Sequence, residues 1–82
     1  MTNEAKPSNL GKVVSVRGSV VDIQFDAHLP PIYTLLRTGD QGRIAIEVLM
    51  QLDDHHVRGI ALNPTQGLAR GMVVEPPAPW AP

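Results

Sequence analysis

The sequence predicts an all-β fold, and within that class a small closed six-stranded β-barrel. Three observations favour this fold: apolar and polar residues alternate with a period of two, turn signals recur at short intervals, and the chain has only 82 residues. Alternation with a period of two is typical of a strand with one buried face. Closure into a barrel would remove the exposed strand edges that make a small open sheet prone to association.

The first two strands are predicted at residues 12–17 and 19–25, on either side of the turn "RGS". In "SVVDIQF", Val21, Ile23 and Phe25 lie on the face that we expect to be buried, and they alternate with residues of the other face. Gly18 is predicted to be a structural turn residue, because glycine adopts positive φ angles at little steric cost.

A short third strand is predicted at residues 34–37, after the turn signal "LPP". Pro30 and Pro31 in that signal are predicted structural turn residues, since proline fixes its own φ angle and is favoured in turns. After the turn "TGDQG", a fourth strand is predicted at residues 43–52. There the apolar face is expected to carry five side chains: Ile44, Ile46, Val48, Met50 and Leu52.

A helix could also be drawn through the fourth segment. Ile44, Val48 and Leu52 have helical spacing, and several neighbouring residues are good helix formers. The five uninterrupted alternations nevertheless fit a strand better than the spacing fits a helix, so the strand is the prediction.

The last two strands are predicted at residues 55–62 and 71–75, with "NPTQGLARG" as the turn segment between them. Gly67 and Gly71 are predicted turn residues that can take positive φ, and Arg70 is expected to project where the last strand begins. The sheet is predicted to end near Glu75, because the prolines that follow cannot donate ladder hydrogen bonds.

These elements divide the chain into a flexible arm at residues 1–10, a barrel at residues 11–75 and a proline-rich tail at residues 76–82. The arm lacks the features of a secretory or transit signal. No run of about eighteen apolar residues occurs, which excludes a transmembrane helix. Cysteine is absent, so no disulfide can form. A domain of this size is marginally stable on its own, and partners would help.

The charge pattern argues against nucleic acid as the main ligand. The chain has seven lysines and arginines and eight acidic residues, which give a net charge of −1, and the cations are scattered along the sequence. Binding to a phosphate backbone needs a basic face. A stand-alone ligand-binding or RNA-binding β-barrel remains an alternative, which tight, salt-dependent RNA binding would favour.

The cluster "DDHH", residues 53–56, is the only group of metal-type ligands in the sequence. Adjacent side chains of a strand point to opposite faces, so His55 and His56 are expected to diverge in a polar turn and to bind no metal. The serines lie in no nucleophile-elbow context. No catalytic residue is therefore predicted, and a small enzyme that uses Asp53, Asp54, His55 and His56 is a second alternative.

Four stretches, in order from Gly11 to Glu75, carry a resemblance to a known family. They are "GKVVSVRGSVVDIQF", "LPPIYTLL", "IAIEVLMQLDDHHVRGIAL" and "TQGLARGMVVE". Together they resemble the N-terminal β-barrel domain of the catalytic beta subunit of F-type rotary ATP synthases. "LPPIY" and "GLARGM" are similar to the beta rather than the alpha subunit. The sequence of residues 35–62 is most similar to that of the alternate, sodium-translocating branch of these ATP synthases.

The resemblance implies a crown of six such barrels, from alternating alpha and beta subunits, on a peripheral headpiece. That headpiece would lie at the cytoplasmic face of a bacterial or archaeal inner membrane. The implied partners are alpha-subunit barrels, without nucleic acid or direct membrane contact. ATP or ADP with magnesium, and synthesis or hydrolysis coupled to proton or sodium transport, would belong to the complete subunit. No cofactor and no nucleotide site are expected in this chain.

The resemblance also assigns roles to individual barrel residues. Gly11 becomes a further structural turn residue, and Tyr33 and Arg70 become candidate subunit-interface residues. After Glu75 the family would lead into a nucleotide-binding domain through a different segment. "PPAPWAP" is therefore expected to be a replaced or truncated linker, with Trp80 either folded back onto an apolar patch or in solvent.

Overall fold

The computed structural model describes residues 9–77, which form six antiparallel strands closed into a barrel. The strands are β1 (Gly11–Arg17), β2 (Val20–Phe25), β3 (Leu35–Thr38), β4 (Ile44–Gln51), β5 (His56–Ala61) and β6 (Val73–Glu75). A three-residue 3₁₀ turn, Asp40–Gly42, joins β3 to β4. Among these residues no helix is long and apolar enough to cross a lipid bilayer.

The strand order around the barrel is β1-β2-β5-β4-β3-β6, and β6 closes the circle by pairing with β1. Every pairing is antiparallel, so the connections gather at two opposite ends. One end, called here the Gly18 end, holds the β1–β2 turn, the β3–β4 turn and the loop between β5 and β6. The other, the Tyr33 end, holds the β2–β3 loop, the β4–β5 turn and the two points where the chain enters and leaves the barrel.

All six predicted strands are confirmed, within one or two residues at each end, and the helical alternative for the fourth segment is wrong. The sixth strand begins later than predicted because residues 71 and 72 belong to a turn. In that turn the Gly71 N–H donates to the Val13 carbonyl at 2.8 Å, and Gly71 has a φ of 90°.

The core is formed by the inward-facing side chains of all six strands. Its members are Val13, Val21, Ile23, Phe25, Leu36, Ile44, Ile46, Val48, Val57 and Val74. Each is at most 1% exposed, so the interior is filled by side chains. This packing confirms the alternation predicted for the second strand and for the first half of the fourth.

The second half of β4 departs from the prediction. A bulge lies between Val48 and Met50 in the pairing with β5, so the inserted Leu49 shifts the alternation by one residue. Met50 and Leu52, which were predicted on the buried face, are 47% and 40% exposed. A bulge depends on the partner strand, and the alternation of one segment does not reveal it.

The chain is fixed to the barrel before β1 begins. Asn9, within the segment predicted as an arm, is buried; its amide donates to the His28 carbonyl at 2.8 Å and accepts from the His28 N–H at 3.2 Å. Asn9 is therefore held against the barrel, although it belongs to the segment predicted as an arm. Residues 1–8 and 78–82, including Trp80, lie outside the described residues.

Candidate interaction surface

The residues predicted for sites and turns lie at both ends of the barrel. Gly18, Gly67, Arg70 and Gly71 are at the Gly18 end; Gly11, Pro30, Pro31 and Tyr33 are at the Tyr33 end. Tyr33 precedes β3 and Arg70 precedes β6, and these two strands are antiparallel. The structure therefore separates the two candidate interface residues, and they cannot belong to one compact site.

Tyr33 has an unusual backbone conformation for a non-glycine residue, with a φ of 74°. Two hydrogen bonds to β4 hold the segment: the Tyr33 N–H donates to the Val48 carbonyl at 2.7 Å, and the Val48 N–H donates to the Thr34 carbonyl at 3.0 Å. The Tyr33 side chain is 72% exposed. Strained backbone persists where the surroundings impose it, and it is enriched at functional sites. The turn thus presents an aromatic side chain to solvent in a fixed position.

Exposed apolar residues lie close to Tyr33 along the backbone of β3 and β4 and define the Tyr33 patch: Ile32, Tyr33, Leu35 and Leu49. Leu35 follows the turn on β3, and Leu49 is the bulge residue of β4 beside Val48, the partner of the Tyr33 N–H. Ile32, Leu35 and Leu49 are 46%, 42% and 41% exposed. Contiguous exposed apolar side chains are a feature of interaction surfaces. The bulge was not predicted, and neither was the part that Leu49 has in this patch.

Pro30 and Pro31 shape the turn that presents the patch. Pro30 is fully buried, and its carbonyl accepts a hydrogen bond from the Gln51 amide at 3.2 Å. The Pro31 carbonyl accepts from the Thr34 N–H at 3.2 Å, which closes the turn. Pro31 is thus the first residue of the turn, and the buried Pro30 lies directly before it.

Arg70 lies on a turn that is fixed to β1. The Met72 N–H donates to the Ala69 carbonyl at 3.2 Å, and the Val13 N–H donates to the Met72 carbonyl at 3.0 Å. The Ala69 N–H also points at the Met72 sulfur, 3.1 Å away. Arg70 is exposed, and the ion pairs found within residues 9–77 do not include it. Its guanidinium is available to a partner at the Gly18 end.

Gly11 has a different role from the predicted one. It lies inside β1 rather than in a turn, and a Cβ there would come within 2.7 Å of Phe25 Cζ and 2.8 Å of Ile23 Cγ2. Glycine is required because Phe25 packs against the backbone, a close approach that the sequence alone does not reveal. Gly67, in contrast, has the positive φ of a turn residue, at 86°.

The "DDHH" cluster forms the polar turn between β4 and β5. The His55 N–H donates to Asp53 Oδ1 at 2.8 Å and His56 Nδ1 lies 2.9 Å from the same oxygen; these contacts hold the pKa of Asp53 below its usual value. His55 Nδ1 lies instead 3.3 Å from the Phe25 carbonyl oxygen. The two imidazoles thus bond to different groups. No metal-binding set of three ligands was found within residues 9–77.

An ion pair between neighbouring strands was not predicted. Arg58 on β5 donates from Nε and an Nη atom to the two carboxylate oxygens of Asp22 on β2, at 2.8 and 3.0 Å. These bonds lower the pKa of Asp22 and raise that of Arg58. The two residues are opposite each other in the β2–β5 register, which only the fold supplies.

The Asp22 pair predicts a pH dependence of stability. Because the folded state lowers the Asp22 pKa, the stabilisation is present above the ordinary carboxyl value of 3.8 and is lost as the pH falls through the lower folded pKa. Asp22→Asn should therefore reduce the free energy of unfolding slightly at neutral pH and make it less sensitive to acid. Urea unfolding, followed by circular dichroism over a pH series, measures both effects.

Asp54→Asn is the matched control, since Asp54 lies in the exposed β4–β5 turn and takes no part in either ion pair of the described residues. If Asp22→Asn and Asp54→Asn gave the same pH profile, the Asp22–Arg58 pair would not contribute to stability.

Comparisons with known proteins agree with the architecture. Residues 13–76 match the sequence model of a family described as "ATP synthase alpha/beta family, beta-barrel domain". The chain is 68% identical over 71 residues to ATP synthase subunit beta 2 of Polaromonas naphthalenivorans, covering 87% of this chain and 15% of that protein. It is 64% identical over 75 residues to ATP synthase subunit beta 2 of Albidiferax ferrireducens, covering 92% of this chain and 14% of that protein. It thus spans about 15% of the length of such relatives.

Proposed function

This chain belongs to the ATP synthase alpha/beta family, as an N-terminal β-barrel domain of the beta-subunit type, and from that premise we propose that its barrel joins neighbouring subunits of an ATP synthase headpiece. Its partners would be alpha-subunit barrels in an alternating ring of six. Nucleotide and magnesium binding, and the coupled transport of protons or sodium, would belong to the complete subunit. The choice of ion stays a prediction.

One observation carries this proposal: the barrel interior is filled, while both ends present fixed, exposed side chains suited to contact. Because the core residues are at most 1% exposed, a partner can bind only to the outer surface of the barrel. The Tyr33 patch at one end and Arg70 at the other offer the aromatic and arginine side chains that dominate protein interfaces. The ring would lie on the cytoplasmic side of a membrane and would contact neither lipid nor nucleic acid. The isolated chain would catalyse no reaction.

The proposal predicts that the 82-residue chain forms a complex with the N-terminal barrel of the alpha subunit from the same organism. Sedimentation velocity of the mixture should show a species larger than either chain alone. Arg70→Ala should weaken the complex by about tenfold, corresponding to about 1.4 kcal/mol, as expected for an arginine at an interface.

Arg17→Ala is the matched control, because Arg17 is also an exposed arginine at the Gly18 end of the barrel. Absence of any complex at concentrations where the alpha barrel is folded would refute the proposed function. An equal loss for Arg17→Ala and Arg70→Ala would reject Arg70 as a specific contact and indicate a general effect of charge.

A further inference from the structure

Exposed apolar side chains are concentrated on the part of the barrel around the Tyr33 patch. Among residues 9–77, nine large apolar residues are at least 40% exposed, and six of them lie on β3 and β4 or in the segments next to these strands. They are Ile32, Tyr33, Leu35, Leu49, Met50 and Leu52. Leu35 is opposite Glu47 in the β3–β4 register, and Leu49 follows Glu47 by two residues, so the two exposed leucines are diagonal neighbours on the outer face. Contiguous apolar surface of this kind marks an interaction site.

The Tyr33 patch is fixed in position, and none of its residues is Asp, Glu, Lys, Arg or His. Two hydrogen bonds to Val48, one from the Tyr33 N–H and one to the Thr34 carbonyl, hold its backbone, so little conformational freedom is lost when a partner binds. The nearest charged residues in the register are Glu47, opposite Leu35, and Arg37, two residues further along β3. The patch therefore has the apolar centre and the polar rim that are typical of a protein interface.

A second copy of this chain fits such a surface by symmetry. In a two-fold contact each patch meets an identical patch, so an uncharged apolar patch is complementary to itself, whereas a charged patch is repelled by its own copy. The Gly18 end is unsuited to this contact, because Arg17 and Arg70 are exposed there and belong to neither ion pair of the described residues. The distribution of charge therefore favours self-association through the Tyr33 end.

We propose that two copies of the free chain associate through their Tyr33 patches in a two-fold dimer. The six exposed side chains around the patch offer several hundred Å² of apolar surface per copy, which is less than the ~800 Å² per partner of a standard stable interface. The dimer should therefore be weak and should form only at high protein concentration. The proposal concerns the free chain and uses only its surface, so it is independent of the proposed function.

Sedimentation equilibrium of the full 82-residue chain tests the dimer. The average mass should rise from that of a monomer toward that of a dimer between about 0.01 and 1 mM protein, the range expected for a weak contact of this size. Leu49→Lys and Leu49→Glu should each weaken the association by about tenfold or more, because like charges then meet in the contact. An equimolar mixture of the two variants should associate more tightly than either alone, since opposite charges meet across the two-fold axis. Added salt should reduce this recovery.

Leu62→Lys and Leu62→Glu are the matched controls, because Leu62 is 54% exposed at the Gly18 end. They should leave the association unchanged, both alone and mixed, and circular dichroism checks that every variant is folded. Three results would overturn the proposal: a wild-type chain that stays monomeric up to about 1 mM, an equal loss of association in Leu62→Lys, or a mixture of the Leu49 variants that associates no more tightly than each alone. In the wild-type chain, dilution should shift the amide resonances of Leu35 and Leu49. Shifts confined to the Gly18 end would also contradict the proposed contact.

Discussion

Phe25→Ala is expected to remove most of the stability of this barrel. Phe25 is fully buried and is the only phenylalanine in the chain. Truncation of a buried phenylalanine to alanine costs about 3–5 kcal/mol, as lost burial plus the cavity that remains. A domain of this size has a total stability of about 4–12 kcal/mol at ~0.05–0.15 kcal/mol per residue. Urea unfolding should therefore show a large fall in midpoint, or a chain already partly unfolded in buffer.

The position of Phe25 makes collapse of that cavity difficult. Phe25 ends β2 opposite Gly11, and its N–H donates to the His55 carbonyl at 2.8 Å. The backbone on both sides is therefore held by hydrogen bonds, and the Gly11 side offers no side chain that could move in. Leu62→Ala, at an exposed position, should cost much less. If Phe25→Ala lowered the free energy of unfolding as little as Leu62→Ala does, the Tyr33 end would have to repack freely around the cavity.

The sequence predicted the strands because their signals are local. Alternation along β2 and the first half of β4, glycine-containing turns and the terminal prolines each depend on residues close together in the chain. The Leu49 bulge could not be predicted in this way, since it exists only in the pairing of β4 with β5. Its consequence, two successive outward side chains at Leu49 and Met50, therefore became visible only in the fold.

The candidate site was predictable in part. The resemblance indicated Tyr33 and Arg70, but the strand order places them at opposite ends, which neither motif reveals. The Asp22–Arg58 pair joins residues that are 36 positions apart. The buried Asn9 likewise depends on a loop distant in sequence. Contacts of this kind require knowledge of which strands are neighbours.

Gly59→Ala is expected to have the second large effect on stability. Whether it raises or lowers the free energy of unfolding depends on the space for the methyl group that alanine adds. Alanine in place of glycine usually stabilises by about 0.4–1 kcal/mol where the backbone permits it, because the unfolded chain loses freedom. At Gly59 a Cβ would lie 2.6 Å from Ile46 Cγ2 and 2.7 Å from the Glu47 carbonyl oxygen. Overpacking of this kind costs about 1–3 kcal/mol or more, so the net effect should be destabilising.

The comparison with Gly11→Ala tests that explanation. The nearest atoms to a Cβ at Gly11 belong to the side chains of Phe25 and Ile23, whereas one at Gly59 also meets a backbone oxygen within the β4–β5 pair. In a Phe25→Leu background, the cost of Gly11→Ala should therefore fall, because the ring atoms are gone. The cost of Gly59→Ala should stay the same within about 0.5 kcal/mol, as for independent sites. Equal relief at both glycines, measured by urea unfolding of the single and double variants, would instead indicate a barrel that adjusts as a whole. Relief at Gly11 alone would show that the Phe25 ring limits the residue at position 11 and that a separate contact, with Ile46 and the Glu47 carbonyl oxygen, limits the residue at position 59.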